Sequence, residues 1–214
     1  MGVEVLENLK KAVIEYDGEA AASWARRAVQ EKIDPVKALD TMTMAIREVG
    51  DGFGKGDLWL PDLVGAADAM SSAIPIIEEE INRVGARRES LGTVVIGTVY
   101  GDIHSIGKTM VATLLIANGF AVNDLGINVT AEGFVEGIKK HNANILAMSS
   151  LMTTTAPEQR KVIETLKEEG IRDKVKIMVG GGAITQGFAD SIGADGYEPT
   201  AAGAVKLASS LIGK

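Results

Sequence analysis

One change of texture constrains this chain more than any other feature. As far as Val84 the apolar residues recur at helical spacing; from Thr93 onward they form short β-branched runs separated by helical stretches. Thr93-Val94-Val95-Ile96-Gly97-Thr98-Val99 is apolar without alternation, as a strand buried on both faces has to be. Similar runs recur at 121–125, 144–148 and 175–179, with helical patterns at 108–118, 131–141 and 157–168 between them. Strand alternating with helix predicts an open, doubly wound α/β sheet, because parallel neighbours need a crossover element to join them.

The first part predicts a small helical bundle. Val5, Leu6, Leu9, Val13 and Ile14 share a helical face that ends at Gly18, and a second helix carries Ala21, Ala22, Trp24, Ala25 and Ala28. Asp34-Pro35 supplies a cap followed by proline at the first helical position. Val36, Leu39, Met42, Met44, Ile46 and Val49 then line a third helix. The glycine-rich segment 50–57 is expected to leave it as an irregular loop. A fourth helix runs from about Pro61 to Val84, with Leu63, Val64, Ala67, Met70, Ile74 and Ile77 inward. The polar stretch Gly85–Ser90 reads as the linker, giving a helical domain over 1–88 and an α/β domain over 89–214.

Composition removes several classes of function. A net charge of −7 over 214 residues disfavours a nucleic-acid partner or an anionic membrane surface, both of which want a basic face. Without cysteine there is no disulfide framework, thiolate nucleophile or thiolate metal site. The first residues carry neither a basic nor an apolar leader pattern, and no apolar run is expected to span a membrane, so a cytoplasmic location is expected.

In a doubly wound sheet, ligands gather at the carboxyl ends of the strands, near the point where strand order reverses. After the first predicted strand comes Tyr100-Gly101-Asp102-Ile103-His104-Ser105-Ile106-Gly107, after the third Ser149-Ser150-Leu151-Met152-Thr153-Thr154-Thr155, and after the fourth Gly180-Gly181-Gly182-Ala183. One loop offers an imidazole with a carboxylate two residues away. Another is rich in hydroxyls, and the last is bare of side chains. Together they predict one pocket holding a metal-ligand candidate, hydrogen-bonding groups and a surface against which a flat group can lie.

Asp102-x-His104-x-x-Gly107, Ser149-x-Leu151 and Gly181-Gly182, in that order, resemble the three-part pattern of the B12-binding domain in cobalamin-dependent methyltransferase systems. The first element alone is only moderately specific, whereas three in order, each after its own predicted strand, are strong evidence. The resemblance extends to the N-terminal half. There Gly52-Phe53-Gly54-Lys55-Gly56-Asp57-Leu58-Trp59-Leu60-Pro61 is similar to the end of the helical cap that precedes such modules, as in the cap plus B12-binding module of cobalamin-dependent methionine synthase. The whole chain resembles the stand-alone corrinoid proteins of methylamine and quaternary-amine methyltransferase systems. It implies a four-helix cap bundle followed by a doubly wound, flavodoxin-like Rossmann domain.

The resemblance also implies roles. Cobalamin or a related corrinoid would bind base-off/His-on, with His104 as the lower axial cobalt ligand and Asp102 accepting a hydrogen bond from its other ring nitrogen. Thr155 falls where the family usually has a serine as third relay member, so the hydroxyl is kept and the residue differs. Ile103, Ser105, Ile106 and Gly107 would border the corrin, with Gly107 letting the chain turn into its helix. Ser149 would meet the displaced base, with Leu151 and Thr153 along the slot. Gly181 and Gly182 would permit close approach of the tail, and Tyr197, Thr200 and Ala201 would border it. Trp59 and Leu60 would give apolar cover on the upper face. Cobalt(I) would accept a methyl group from a substrate:corrinoid methyltransferase of methylamine or betaine type. It would pass the group to a corrinoid:tetrahydrofolate or corrinoid:coenzyme M methyltransferase, and a reductive activating protein would keep the cobalt competent. No residue set for independent catalysis is expected.

Plainer readings compete with these. A lone histidine beside glycine is usually an ordinary loop residue, and His141 reads as a solvated group complementing a helix end. Gly107-Lys108-Thr109 after a strand suggests a phosphate-binding loop, but the spacing from Gly101 is one residue too long for a Walker A motif. A B12-dependent sensor would use the same cap and module. The methionines and Glu78-Glu79-Glu80 read as core filler and a solvated helix face. Trp59 reads almost equally well as an anchor of the bundle to the second half.

Overall fold

The computed structural model describes residues 2–85 and 90–213, and these two stretches fall into two compact units. The linker expected at Gly85–Ser90 lies mostly outside the described residues, as does the expected boundary at 88/89.

The first unit holds helices α1 (Gly2–Ile14), α2 (Gly18–Gln30), α3 (Pro35–Lys55) and α4 (Leu60–Val84). Their starts follow local chemistry. The Asp17 carboxylate accepts the Ala20 N–H, and Asp34 accepts the Val36 N–H ahead of Pro35. Asp62 reaches back to accept the Trp59 N–H at 2.7 Å, anchoring the first turn of α4. Val5, Leu9 and Val13 of α1 are buried in this unit with Leu39, Met42 and Ile46 of α3 and Leu63, Met70 and Ile77 of α4. Two expectations fail here. Helix α3 continues through Gly50, Gly52 and Gly54 to Lys55 and stops at Gly56, which adopts the left-handed φ of 83°. Glycine costs a helix about 1 kcal/mol per residue, which packing overrides; a helix stop needs the left-handed turn that Gly56 makes. Met44 is exposed, because two residues beyond Met42 is the opposite side of the helix.

By length and hydropathy α4 meets the minimum for a membrane-crossing helix, contrary to the expectation that no segment would. Its stripe of Leu63, Ala66, Met70, Ala73 and Ile77 is buried within the unit, where α4 packs on α2 and α3.

The second unit is a five-stranded parallel sheet in the order β2-β1-β3-β4-β5. Its strands are β1 (Thr93–Thr98), β2 (Ala121–Asp124), β3 (Ile145–Ser149), β4 (Lys176–Gly180) and β5 (Gly196–Tyr197). Helices α6 (Ala131–His141), α7 (Pro157–Glu168) and α8 (Gln186–Ile192) cover one face, and α5 (Ile106–Ala117) and α9 (Ala201–Leu211) the other. Each inner strand feeds both faces: Leu146 and Met148 pack with Phe134 and Ile163, while Ile145 and Ala147 pack with Leu115 and Ala208. The strand order reverses between β1 and β3, so the loops after those strands open a crevice between them. Thr98 pairs with Ser149 and Ser149 with Gly180, which brings the ends of β1, β3 and β4 level.

Candidate functional site

At that crevice Asp102 is completely buried and uses both carboxylate oxygens. Oδ1 accepts the His104 N–H at 3.0 Å and meets the His104 ring Nδ1 at 2.7 Å. Across the sheet, Oδ2 accepts the Leu151 N–H at 2.8 Å, the Thr155 hydroxyl at 2.8 Å and, more weakly, the Met152 N–H at 3.4 Å. Burial pushes the Asp102 carboxyl up. The donors from His104, Leu151 and Thr155 outweigh that and hold it well below the usual carboxylate range.

An ionised Asp102 only accepts, which orders every proton around it. His104 therefore donates from Nδ1, which in the neutral imidazole leaves the lone pair on Nε2. Nε2 has no hydrogen-bond partner among the described residues, and the side chain is 46% exposed. Thr155 spends its proton on Asp102, so the hydroxyl of Ser150, 2.8 Å away, donates to Thr155. Ser150 is fully buried. It lies between the two motif residues Ser149 and Leu151, and only the turn that carries Thr155 back over it reveals its place.

Around the imidazole the surface is apolar: Tyr100, Ile103, Ile106 and Leu151 are all exposed large hydrophobic residues. Ser105 stands at the N-cap position of α5 without a side-chain capping bond, and Thr98 donates to the His104 carbonyl at 2.9 Å, tying the loop to the end of β1. Gly107 lies in the first turn of α5 without a positive φ, so its backbone does not demand glycine as the turning role expected. A Cβ there would meet nothing within 4 Å outside its own helix and neighbours, which leaves an open surface beside the His104 loop. An imidazole with a free Nε2, an apolar rim and a bare patch fit a planar metal macrocycle above His104.

The remaining expected residues divide. Gly181 has a φ of 118°, and a Cβ there would stand 1.9 Å from the Ser150 carbonyl oxygen, so the protein's own backbone requires the glycine. At Gly182 a Cβ would meet the Leu151 side chain at 2.8 Å. Ser149 ends β3, and by alternation with Met148 it belongs to the face covered by α5 and α9. Thr200 caps α9 by accepting the Gly203 N–H, with Ala201 the first residue of that helix, and Thr153 is exposed. Tyr197 packs into the core on the α6, α7 and α8 side and so stands apart from Ser149. Trp59 belongs to the helical unit and is 74% exposed.

Lys108, the lysine of the Gly-Lys-Thr sequence, is buried and ion-paired with Asp124 at the end of β2. It is not presented to a phosphate, as a nucleotide-binding lysine would be. Among the described residues no cluster of three or more acidic or imidazole side chains could hold a bare metal ion.

Comparison with known proteins agrees with this chemistry. Two B12-binding-domain models match, one over residues 92–206 and one over 5–78. A trimethylamine corrinoid protein of Methanosarcina barkeri is 46% identical over 203 residues, 94% of each chain. A dimethylamine corrinoid protein of Methanosarcina mazei is 42% identical over 98% of this chain and 96% of its own length. Among solved structures, a chain of the methanol:cobalamin methyltransferase complex of Methanosarcina barkeri superposes with a TM-score of 0.80 at 33% identity. That match covers 99% of this chain and 81% of the other.

Proposed function

The chain belongs to the B12-binding-domain family, among the corrinoid proteins of methylamine methyltransferase systems, and from that premise we propose that it binds its corrinoid base-off with His104 Nε2 on the cobalt. It is a methyl carrier. The observation that carries the ligand assignment is the His104 imidazole, held at Nδ1 by an ionised, buried carboxylate and open at Nε2.

When bound, the corrinoid supplies a cobalt that takes up and surrenders a methyl group. The residues of this chain set how firmly the imidazole holds that cobalt. Asp102 fixes the tautomer and raises the basicity of Nε2, as a carboxylate behind a metal-bound histidine does. Thr155 and Ser150 keep Asp102 ionised by donating into it in series. A proton added to the His104–Asp102 pair weakens the ligand, so the state of the pair and the state of the metal are coupled. Exposed Ile103, Ile106 and Leu151 would keep water from a bound macrocycle, and Gly107 would leave room for it. Ser149, the Gly181-Gly182 turn, Thr153, Thr200 and Ala201 would border the displaced base and its tail, whereas Tyr197 lies on the opposite face of the sheet from Ser149.

A substrate:corrinoid methyltransferase of methylamine or betaine type loads the carrier. A corrinoid:tetrahydrofolate or corrinoid:coenzyme M methyltransferase unloads it, and a reductive activating protein restores the cobalt. A cytoplasmic setting belongs with this reading. Reconstitution with hydroxocobalamin tests it. The wild-type chain should take up colour with the absorption of an imidazole-ligated, base-off corrinoid, and His104→Ala should lose that signature. A chain that stays colourless overturns the binding, and an unchanged His104→Ala spectrum overturns the ligand.

A further inference from the structure

The ligand loop is held from outside by a residue that none of the three motifs contains. Asn128, in the loop after β2, makes a reciprocal pair of hydrogen bonds with the loop after β1. Its Oδ1 accepts the Gly101 N–H at 2.7 Å, and its own N–H donates to the Asp102 carbonyl at 3.1 Å. One residue therefore grips the Gly101–Asp102 dipeptide at both ends. Asn128 has a φ of 55°, a conformation that asparagine tolerates better than most side chains, and Gly101 opposite has a φ of 78°.

The base from which Asn128 reaches is itself fixed. Asp124 is paired with buried Lys108 and accepts the Gly126 N–H at 2.8 Å. Thr98 donates its N–H to the Gly126 carbonyl at 3.0 Å, and its carbonyl accepts the Val129 N–H at 3.0 Å. Bonds on both sides of Asn128 thus tie its loop to the end of β1. What it holds has little freedom to spare. One oxygen of Asp102 serves His104 and the other serves Leu151 and Thr155, so a rotation that favours one side breaks the other.

We propose that Asn128 is a positioning residue for the cobalt ligand: it fixes the Gly101–Asp102 backbone, which aims the Asp102 carboxylate, which aims the His104 imidazole. This rests on His104 as the ligand, as inferred above.

Two variants of the full-length protein separate the amide from the backbone. Asn128→Gly keeps the left-handed conformation and removes the side-chain acceptor; Asn128→Asp keeps an acceptor oxygen in the same place. In the cofactor-free protein, Asn128→Gly should speed amide exchange at His104 and Leu151, the two N–H groups that Asp102 holds, by about tenfold, the loss of one net hydrogen bond. Amides inside β1 and β3 should keep their wild-type rates, and Asn128→Asp should recover the slow exchange. After reconstitution with hydroxocobalamin, Asn128→Gly should show a smaller imidazole-ligated fraction than wild type, with recovery in Asn128→Asp.

Wild-type exchange and a wild-type spectrum in Asn128→Gly overturn the proposal. So does acceleration spread equally through β1 and β3, which would make Asn128 a general structural residue. A wild-type protein that takes up no hydroxocobalamin sinks the ligand reading and the role of Asn128 towards it. A wild-type protein that binds, with Asn128→Gly indistinguishable from it, sinks Asn128 alone.

Discussion

The two units bury polar groups in different ways. In the helical unit the buried polar side chains are Thr43 and Glu80, and the partners seen for them are local: Thr43 donates to the Leu39 carbonyl one turn back, and Glu80 pairs with Arg83 one turn on. In the α/β unit Thr98, Asp102, Ser150, Thr155 and Gln159 are buried at the carboxyl ends of the strands, and beside near partners such as His104 the network reaches across the sheet, where Asp102 meets Leu151 and Thr155, 49 and 53 residues further on. Gln159 donates to the carbonyls of both Met148 and Gly180, joining the ends of β3 and β4. Burying a polar group costs free energy unless a partner is supplied, and long-range partners also cost loop entropy. The helical unit avoids that cost by satisfying its polar groups within a turn. The α/β unit accepts it at the ends of its strands, where Asp102 and its partners gather beside His104 and where buried Lys108 pairs with Asp124.

The sharpest way to break this contrast is Gly181→Ala. Its Cβ would press into the Ser150 carbonyl at 1.9 Å, where the neighbour is backbone and cannot swing aside, and the φ of 118° is strained for any side chain. Ser150 is the last hydroxyl in the series that ends on Asp102, so the clash reaches the site directly. We expect a loss of at least about 3 kcal/mol in chemical unfolding, or failure to fold. A mild effect would mean that the turn after β4 is not coupled to the Asp102 network.

Asp102→Asn comes next. The amide keeps the shape, but its NH₂ group faces donors, leaving buried N–H and O–H groups in conflict, at a cost of about 3 kcal/mol. The wild-type carboxyl is held below its ordinary range in the folded state. Its contribution is therefore fully present above the unfolded carboxyl value of about 3.9 and lost as pH falls through that value towards the lower folded one. Between pH 4 and pH 2, wild-type unfolding free energy should gain a downward slope approaching about 1.4 kcal/mol per pH unit from this group. Urea titrations of the variant should lack that component. Equal slopes in both proteins would show that Asp102 is not the buried anion described here.

Much of the α/β unit could be read in the chain because its strands are continuous apolar runs and the site residues follow them directly. The elements missed are short or weakly apolar: β5 is only Gly196–Tyr197, and α8 and α9 were not separated from the loops around them. His104, Asp102 and Thr155 were legible as a motif. Ser150 and Asn128 were not, since nothing local distinguishes a serine beside a serine, or an asparagine in a turn, until Thr155 and Gly101 are folded against them. Gly181 was legible as a necessary glycine for a reason that proved different, since its neighbour is the protein's own backbone.

In the helical unit the error ran the other way, and the smallest prediction follows from it. Glycines in 50–56 suggested a loop, yet α3 passes through them. Only Gly56 adopts a positive φ, and a Cβ on Gly54 would meet nothing within 4 Å. Gly54→Ala should therefore raise thermal stability by about 0.5 kcal/mol, because alanine loses less backbone freedom than glycine on entering a helix. Gly52→Ala is its internal control, since its Cβ would touch the flexible end of Leu58 at 2.8 Å and cancel part of the gain. The same glycine-to-alanine change would then stabilise one unit and break the other. If Gly54→Ala lowers stability instead, the helical unit holds its glycines as tightly as the site does, and the contrast between the units fails.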